Sequence, residues 1–344
     1  MTTAGEYASP ATVAALQQVL ARRQRSNGAF LSEPRVAAVL PGSWAAHALD
    51  LVGETERAAR FHAWATNLVH RARAPILHGK AALLAGRPVP AAAWLPYGQR
   101  APSHAATGRP TASADAAAGA AAGDAPATLS TFVLADVTAS WAVWLWVLSQ
   151  HHQRRARSSL PLRQASVARI VGDAIVTLCE QGERGLLSLE GSQATAYFAG
   201  LNALHPWLVV PDLDQHLTFL WRLVDESLRS LQTGQPLPQP AREGLSLLGA
   251  GWPFDVVDGR SEEYGRLLDA YGTGQERPAW ERAWLAWAYA GRRQVDTARL
   301  RLASLTSESN PAKEASRPPD GARLTTAALT LLALYEARFA APGR

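Results

Sequence analysis

Residues 44–69 read WAAHALDLVGETERAARFHAWATNLV, and residues 284–305 read WLAWAYAGRRQVDTARLRLASL. Each stretch begins with an apolar run of helical period, is interrupted by a glycine and a polar turn, and continues as a second run that starts with small residues and arginine. A helix that ends at glycine and is followed at once by another helix is the pattern of an αα-hairpin. The two stretches therefore predict a fold that is built from helical hairpins.

The same periodicity continues along most of the chain. Apolar residues recur at spacings of three and four, and glycine, proline or polar turns separate the segments. The pattern amounts to roughly a dozen helices without an alternating strand pattern, so the predicted class is all-α. We expect helices at 9–24, 43–52, 54–74, 76–85, 130–154, 162–181, 191–205, 212–232, 240–249, 261–271, 278–290, 294–305 and 322–339.

The loops between these helices differ in length. Stacked hairpins form either an open solenoid or a closed ring, and a solenoid shows a fixed repeat period. The sequence has no such period, so we predict an α/α barrel (toroid) of helical hairpins that forms a single domain over residues 1–344.

Residues 103–128 consist almost entirely of Ala, Gly, Ser, Thr, Pro and Asp. We interpret them as a flexible low-complexity insertion.

Composition excludes several classes of protein. The hydrophobic fraction of 47% provides a core, and the net charge of +5 is spread along the chain. The densest cations, Arg154, Arg155 and Arg157, fall at a predicted helix end, where they complement the helix dipole. We therefore expect no nucleic-acid partner. No apolar run reaches about 18 residues and no basic start precedes an apolar stretch, so we expect no membrane span and a cytoplasmic protein.

Metal and cofactor chemistry is also not indicated. The single cysteine, Cys179, excludes an internal disulfide and a cysteine-based zinc site, and the nine histidines lack zinc-binding spacing. Phosphate-binding loops, dinucleotide-binding glycine motifs and nucleophile elbows are missing from the sequence. We expect no metal and no cofactor.

Four segments carry a family resemblance, in the order in which the family has them: 39–69, 134–148, 179–204 and 279–311. Together they resemble the six-hairpin glycosidases, most nearly the glucoamylase- and trehalase-like inverting glucosidases. The resemblance implies an α/α toroid with a site for an oligosaccharide or polysaccharide at one end. It also implies that two carboxylates perform the hydrolysis, one as acid and one as base.

The resemblance suggests candidates for both carboxylates. The segment Thr306–Ser309 resembles the one that holds the catalytic base, so Glu308 is the predicted base. Ser188 stands where the family has its acid, so the predicted acid is Glu190 or Glu183, which flank it. The alternative interpretation is that these three glutamates are solvated loop or capping residues.

Tryptophans and buried acids are the candidates for sugar contacts. The chain has 12 Trp, and aromatic rings stack on sugar rings. Asp136 and Glu281 lie among apolar or aromatic neighbours, where a carboxylate needs a partner. The alternatives are core packing for the tryptophans and ion pairs with arginine for the acids. The full predicted set is Trp44, Asp136, Trp141, Trp252, Asp255, Trp280, Glu281 and Trp284.

Three functional hypotheses remain open. The first is an inverting glycoside hydrolase that acts on an α-glucan or a related oligosaccharide. The second is a non-catalytic relative that binds a glycan or a protein partner at the same end of the barrel. It draws on Ser188 and on residues 41–43, where Pro-Gly-Ser replaces the family's sugar-binding Arg-Asp pair. The third is a helical-repeat scaffold, which an open superhelix would establish.

Overall fold

The computed structural model describes residues 10–33, 36–90, 93–96, 128–129, 131–156, 159–232, 269, 277–308 and 320–339. These residues contain eleven helices and two short two-stranded sheets, which confirms the all-α class. The helices are α1 (Pro10–Arg23), α2 (Val39–Leu51), α3 (Thr55–Arg71), α4 (Arg73–Leu84), α5 (Thr131–Arg154), α6 (Leu162–Glu183), α7 (Gly191–Leu204), α8 (Leu213–Gln232), α9 (Ala279–Gly291), α10 (Val295–Glu308) and α11 (Gly321–Phe339).

Two helix boundaries differ from the expectation, and both involve proline. The helix expected at 43–52 begins at Val39 and includes Pro41 in its first turn. Pro75 does not end α3; it is the third residue of α4, which follows α3 almost without a break. In both cases proline occupies a first-turn position, where its missing N–H interrupts no helical hydrogen bond. The helices predicted at 240–249 and 261–271 lie outside the described residues, apart from residue 269.

Five helices form a row in which neighbours pack side by side: α9 against α11, α11 against α2, α2 against α5 and α5 against α7. Gln193 contacts Asp136 near the start of α7 and α5, and a Cβ on Gly200 would touch Ala142 further along both helices. These two helices are therefore parallel. Of the remaining helices, α1, α3, α6, α8 and α10 pack against members of the row, and α4 packs against α3 and α6.

The direction of α2 and α11 follows from contacts at the far end of α5. Asp50, near the end of α2, binds Arg154, the last residue of α5, and the charge of Arg154 also acts on Glu336 near the end of α11. The helices α2, α5, α7 and α11 thus start at one end of the molecule, which we call the N-terminal end of the row. A barrel requires this arrangement of its inner helices. Closure stays a prediction, because residues 233–276 contribute only residue 269 to the described residues.

The two hairpins that predict the fold, α2/α3 and α9/α10, pack as pairs. Gly53 takes the left-handed conformation with φ of 95°, and the N–H of Glu54 returns to the oxygen of Leu49 at 2.8 Å. In the second hairpin Gly291 still belongs to the helix, and Arg293 adopts the left-handed conformation instead, with φ of 61°. The predicted glycine stop therefore holds for the first turn and not for the second.

Short strands were not expected from the sequence. Strand β1 (Leu31–Glu33) pairs with β2 (Val36–Ala37), and β3 (Val89–Pro90) pairs with β4 (Thr128–Leu129), both antiparallel. Thr128, expected to end a loop, belongs to β4. Because Pro90 lies opposite Thr128, the two ends of the intervening segment are adjacent. This geometry suits an insertion within one domain, and the single-domain organisation remains a prediction.

The core is rich in aromatic and alanine side chains, and α5 runs through it. Trp141 and Trp144 of α5 are completely buried, as are Tyr197 and Phe61 on other helices. By length and composition alone, one helix among the described residues, Val133–Arg154, could cross a membrane. Because 83% of its most apolar stretch is buried inside the protein, it has the character of a core helix.

Candidate functional site

A buried polar pair joins α5 to α7 at the N-terminal end of the row. Gln193 is fully buried, and its Nε2 donates a hydrogen bond of 2.8 Å to Oδ1 of Asp136, which is 5% exposed. Gln193 is the third residue of α7, so its side chain points back toward the start of the helix. One partner of Asp136 is thus the amide of Gln193, and the ion-pair interpretation stays open.

Glu190 is the N-cap of α7 and belongs to the same cluster. Its backbone N–H donates a hydrogen bond of 3.0 Å to Oε1 of Gln193, and the two residues form a reciprocal capping box. Burial raises the pKa of the Glu190 carboxyl group, and the negative charge of Asp136 raises it further. Glu190 therefore keeps its proton to higher pH than an exposed glutamate, as a general acid must.

Further hydrogen bonds near this cluster connect α5 to α7 and to residues 93–96. Tyr197 donates from its hydroxyl to the oxygen of Ala135 at 2.8 Å, and burial raises its pKa well above the usual range. The indole of Trp94 donates to the hydroxyl of Thr138 at 3.2 Å. The indole of Trp141 donates to the oxygen of Pro96 at 2.8 Å. These bonds fix residues 93–96 against α5, near Asp136.

Glu183 lies in a different cluster. It is the last residue of α6, and its carboxylate accepts a hydrogen bond from Gln215 at 3.0 Å and contacts Nδ1 of His216 at 3.1 Å. Both partners belong to α8. The two predicted acids are thus separated by their surroundings: Glu183 is held by α8, and Glu190 is coupled to Asp136. Glu308 ends α10, and its side chain lies outside the described residues.

The predicted sugar-binding tryptophans lie in the hydrophobic core. Trp44, Trp141 and Trp284 are at most 1% exposed, and Trp280, in the first turn of α9, is 7% exposed. Trp44 packs edge-on against the ring of Trp287 at 5.8 Å. This burial fits the core-packing alternative, and stacking on a sugar stays a prediction for these residues.

The remaining predicted acids fall into two groups. Glu281, in the first turn of α9, forms an ion pair at 3.0 Å with Arg277, which precedes the helix, and this fits the ion-pair alternative. Asp255 and its neighbour Trp252 lie outside the described residues.

The sequence interpretation missed Asp320, which caps α11. Its Oδ1 accepts a hydrogen bond of 2.9 Å from the N–H of Ala322, and its side chain is 44% exposed. It belongs to the N-terminal end of the row, as Glu190 does. The sequence does carry a pattern for it, because an aspartate directly before a helical apolar run is a typical N-cap.

The sequence interpretation also missed a buried cluster at the opposite end of the row. Arg154 donates from Nε and an NH₂ group to one oxygen of Asp50, at 3.0 and 2.7 Å, and His151 contacts the other oxygen at 3.0 Å. Burial alone would raise the pKa of Asp50, but the bonds from His151 and Arg154 outweigh it and lower the pKa to about 2. Arg154 was expected only to complement a helix dipole.

Two histidines complete that cluster. Burial, reinforced by the charge of Arg154, lowers the pKa of His47 to about 3. Burial also holds the pKa of His62 well below 6.5, and within the described residues neither of its ring nitrogens has a hydrogen-bond partner. Within the described part of the chain, no group of three or more His, Cys, Asp or Glu side chains could hold a metal ion.

Comparison with known proteins identifies the fold. No protein-family model matches the chain, and no curated protein matches it. Solved glycosidase structures do match. A wild-type glycosidase shares 16% identity and a TM-score of 0.62, over 97% of this chain and 100% of that one. A variant glycosidase in complex with glucose shares 16% identity and a TM-score of 0.64, over 96% and 99%. The protein therefore has a glycosidase-like fold along almost its whole length.

Proposed function

We propose that this protein is an inverting glycoside hydrolase that acts on an α-glucan or a related oligosaccharide, with Glu190 as the general acid. One observation carries the proposal: at the N-terminal end of the row, a half-buried carboxyl group with a raised pKa lies beside a second, buried carboxylate. A carboxyl group whose surroundings raise its pKa is the kind of group that acts as the general acid of a glycosidase. The glycosidase-like fold supports the same class.

The chemistry needs a second carboxylate that activates water. In inverting hydrolysis the acid protonates the leaving oxygen while the base, about 6.5–9.5 Å from the acid, deprotonates the attacking water. The family resemblance favours Glu308 as this base. Asp320 is a second candidate, because it caps a helix of the row at the end where Glu190 lies. Asp136, bonded to Gln193, serves to hold Glu190 in its protonated form.

The base is identified by two substitutions. We expect Glu308→Gln or Asp320→Asn, but not both, to lower kcat by about a hundredfold or more with little change in KM. The unaffected variant is the matched control, because both substitutions remove one carboxylate near the same pair of helices. Full activity in both variants would show that neither carboxylate is the base.

The proposed substrate class is tested by measuring glycoside hydrolysis. Glucose release is measured with maltooligosaccharides, trehalose and dextran as substrates, and the proposal predicts release from at least one of them. The absence of release from all three would contradict hydrolysis of these substrates.

A second function has its own support in the sequence. Ser188 and the Pro-Gly-Ser of residues 41–43 replace residues that the resembled family uses for catalysis and sugar binding. A non-catalytic protein that binds a glycan, or a protein partner, at the same end would keep the fold without these groups. Calorimetry with the same sugars distinguishes the two functions: heat of binding without glucose release favours the second, and release favours the first.

A further inference from the structure

The side chain of Gln193 contacts both acidic residues of the candidate site. Its Oε1 accepts the backbone N–H of Glu190 at 3.0 Å, and its Nε2 donates to the carboxylate of Asp136 at 2.8 Å. The amide therefore links the loop that carries one carboxyl group to the helix that carries the other. Because Gln193 is completely buried, neither bond competes with bulk water.

Gln193 donates to both carboxyl groups, but from different atoms. Its backbone N–H donates to the side chain of Glu190 in the capping box, whereas its side-chain amide donates to Asp136. Only the bond to Asp136 therefore depends on the side chain of Gln193. An N–H that donates to a carboxylate stabilises the charged form of that group. Asp136 receives such a donor from Gln193. Among the described titratable groups, Asp136 of α5 is the one whose charge acts on Glu190, and the hydroxyl of Tyr197 on α7 is held by the oxygen of Ala135. A charge fixed on Asp136 disfavours a second charge on Glu190.

We propose that Gln193 is a positioning residue: its side-chain amide fixes the negative charge on Asp136, and this charge keeps the proton on Glu190 when the pair carries one. This inference rests on the proposed function, because it explains how the general acid of that reaction is kept protonated. It also separates Gln193 from an ordinary capping residue. A cap stabilises the start of a helix, whereas a positioning residue also decides which of two carboxyl groups carries the proton.

The first variant, Asp136→Asn, tests the coupling between the two carboxyl groups. Asparagine keeps the shape of aspartate and an oxygen that accepts from Gln193, so the hydrogen bond survives while the charge is removed. Carbon-13 NMR of labelled Glu and Asp carboxyl groups then follows the titration of Glu190. We expect its pKa to fall by about one unit, a tenfold change in the protonation equilibrium at fixed pH. The alkaline limb of the pH–rate profile shifts to lower pH by the same amount.

A second variant tests Gln193 itself. Gln193→Leu removes the donor, so the pKa of Asp136 rises, the pKa of Glu190 falls, and the proton moves toward Asp136. The matched control is Thr195→Val, which removes a buried hydroxyl from the same helix. Among the described residues this hydroxyl donates to the oxygen of Gly191. This control leaves the titration of Glu190 unchanged, although it perturbs the same helix.

The outcomes separate the inference from the proposed function. A pKa of Glu190 that is the same in Asp136→Asn, Thr195→Val and the wild type overturns the inference, whatever the activity. A shifted pKa in a protein that hydrolyses no glycoside supports the coupling and contradicts the proposed reaction. An unchanged pKa of Glu190 in Gln193→Leu likewise overturns the role of Gln193. If Gln193→Leu fails to fold, Gln193→Met replaces it, because methionine keeps the length of the side chain and removes the amide.

Discussion

At the scale of single residues, the structure separates carboxylates that look alike in the sequence. Glu183 and Glu190 lie seven positions apart and were equal candidates for the acid. Their partners differ: Gln215 and His216 hold Glu183, and Asp136 acts on Glu190. Sequence spacing could not reveal this, because Asp136 precedes Gln193 by 57 residues. Periodicity identifies the face of a helix on which a residue lies, but it does not identify the helix that the face contacts.

The tryptophans show the same limit. The spacing of Trp280, Trp284 and Trp287, at i, i+4 and i+7, places them on one face of α9. Whether that face lines a cavity or packs in the core depends on the neighbouring helices. All three side chains are buried, and Trp287 contacts Trp44 of α2.

One glycine gives a prediction at this scale. Gly79 of α4 lies against residues 93–94, and a Cβ at this position would overlap the carbonyl oxygen of Ala93. Alanine favours a helix over glycine by about 1 kcal/mol, but overlap with backbone costs more. We expect Gly79→Ala to lower the free energy of unfolding by about 1–3 kcal/mol.

Urea denaturation measures this loss. His78→Ala, an exposed neighbour in the same helix, is the control and stays within about 0.5 kcal/mol of the wild type. A Gly79→Ala variant as stable as its control would show that residues 93–96 do not pack against α4 as described.

At the scale of elements, buried histidines lie between α2, α3 and α5 and make the stability of their packing depend on pH. The charges of Asp50 and Arg154 act on His47 of α2. The ring of His62 of α3 lies 4.9 Å from the ring of His151 of α5, and burial lowers the pKa of His62. Both histidines have lowered pKa values in the folded state. The unfolded chain therefore binds protons more readily below pH 6.5 than the folded protein does.

The sign of the pH dependence follows. Stability from the neutral histidines is fully present above pH 6.5 and decreases as the pH falls toward the folded pKa, which is about 3 for His47. Each such histidine lowers the free energy of unfolding by about 1.4 kcal/mol per pH unit within this range. The contribution of Asp50 is lost only lower, between its usual pKa of 3.8 and about 2. Urea midpoints at pH 7.5 and pH 5 measure the histidine effect.

A substitution assigns part of this effect to one residue. His62→Phe replaces a buried imidazole whose nitrogens have no described partner with an apolar ring, so it costs little at pH 7.5. We expect the variant to lose less stability between pH 7.5 and pH 5 than the wild type does. His70→Phe, at an exposed position of the same helix, keeps the wild-type dependence. Equal pH dependence in all three proteins would mean that His62 is already charged in the folded state.

At the scale of the whole molecule, the sequence predicts the fold better than the site. Most of the described helices match their predicted positions, because glycine, proline and capping residues determine helix ends locally. The short strands were missed because β3 and β4 contain two residues each and pair across nearly forty positions. The acidic and histidine clusters were missed for the same reason: each assembles side chains from helices that are distant in sequence.

The predicted insertion can be tested on the whole protein. Pro96 is held by Trp141, and Thr128 is paired with Pro90, so both ends of the segment between them are anchored. The entropy of loop closure varies slowly with length, by about 0.6 kcal/mol for each doubling. We expect replacement of residues 103–126 by a short Gly-Ser linker to change the melting temperature by less than about 3 °C. Loss of cooperative unfolding would show that the segment contributes to the core.

Glu190, whose carboxyl group is coupled to Asp136, is the proposed acid of the glycosidase reaction. The most direct measurement is the rate of glycoside hydrolysis by Glu190→Gln, compared with Glu183→Gln and with the wild type. Glutamine keeps the size of either side chain but cannot supply the proton. We expect Glu190→Gln to reduce kcat by about a hundredfold or more and Glu183→Gln to retain nearly full activity. Wild-type activity in Glu190→Gln would contradict the account, as would a loss that is confined to Glu183→Gln.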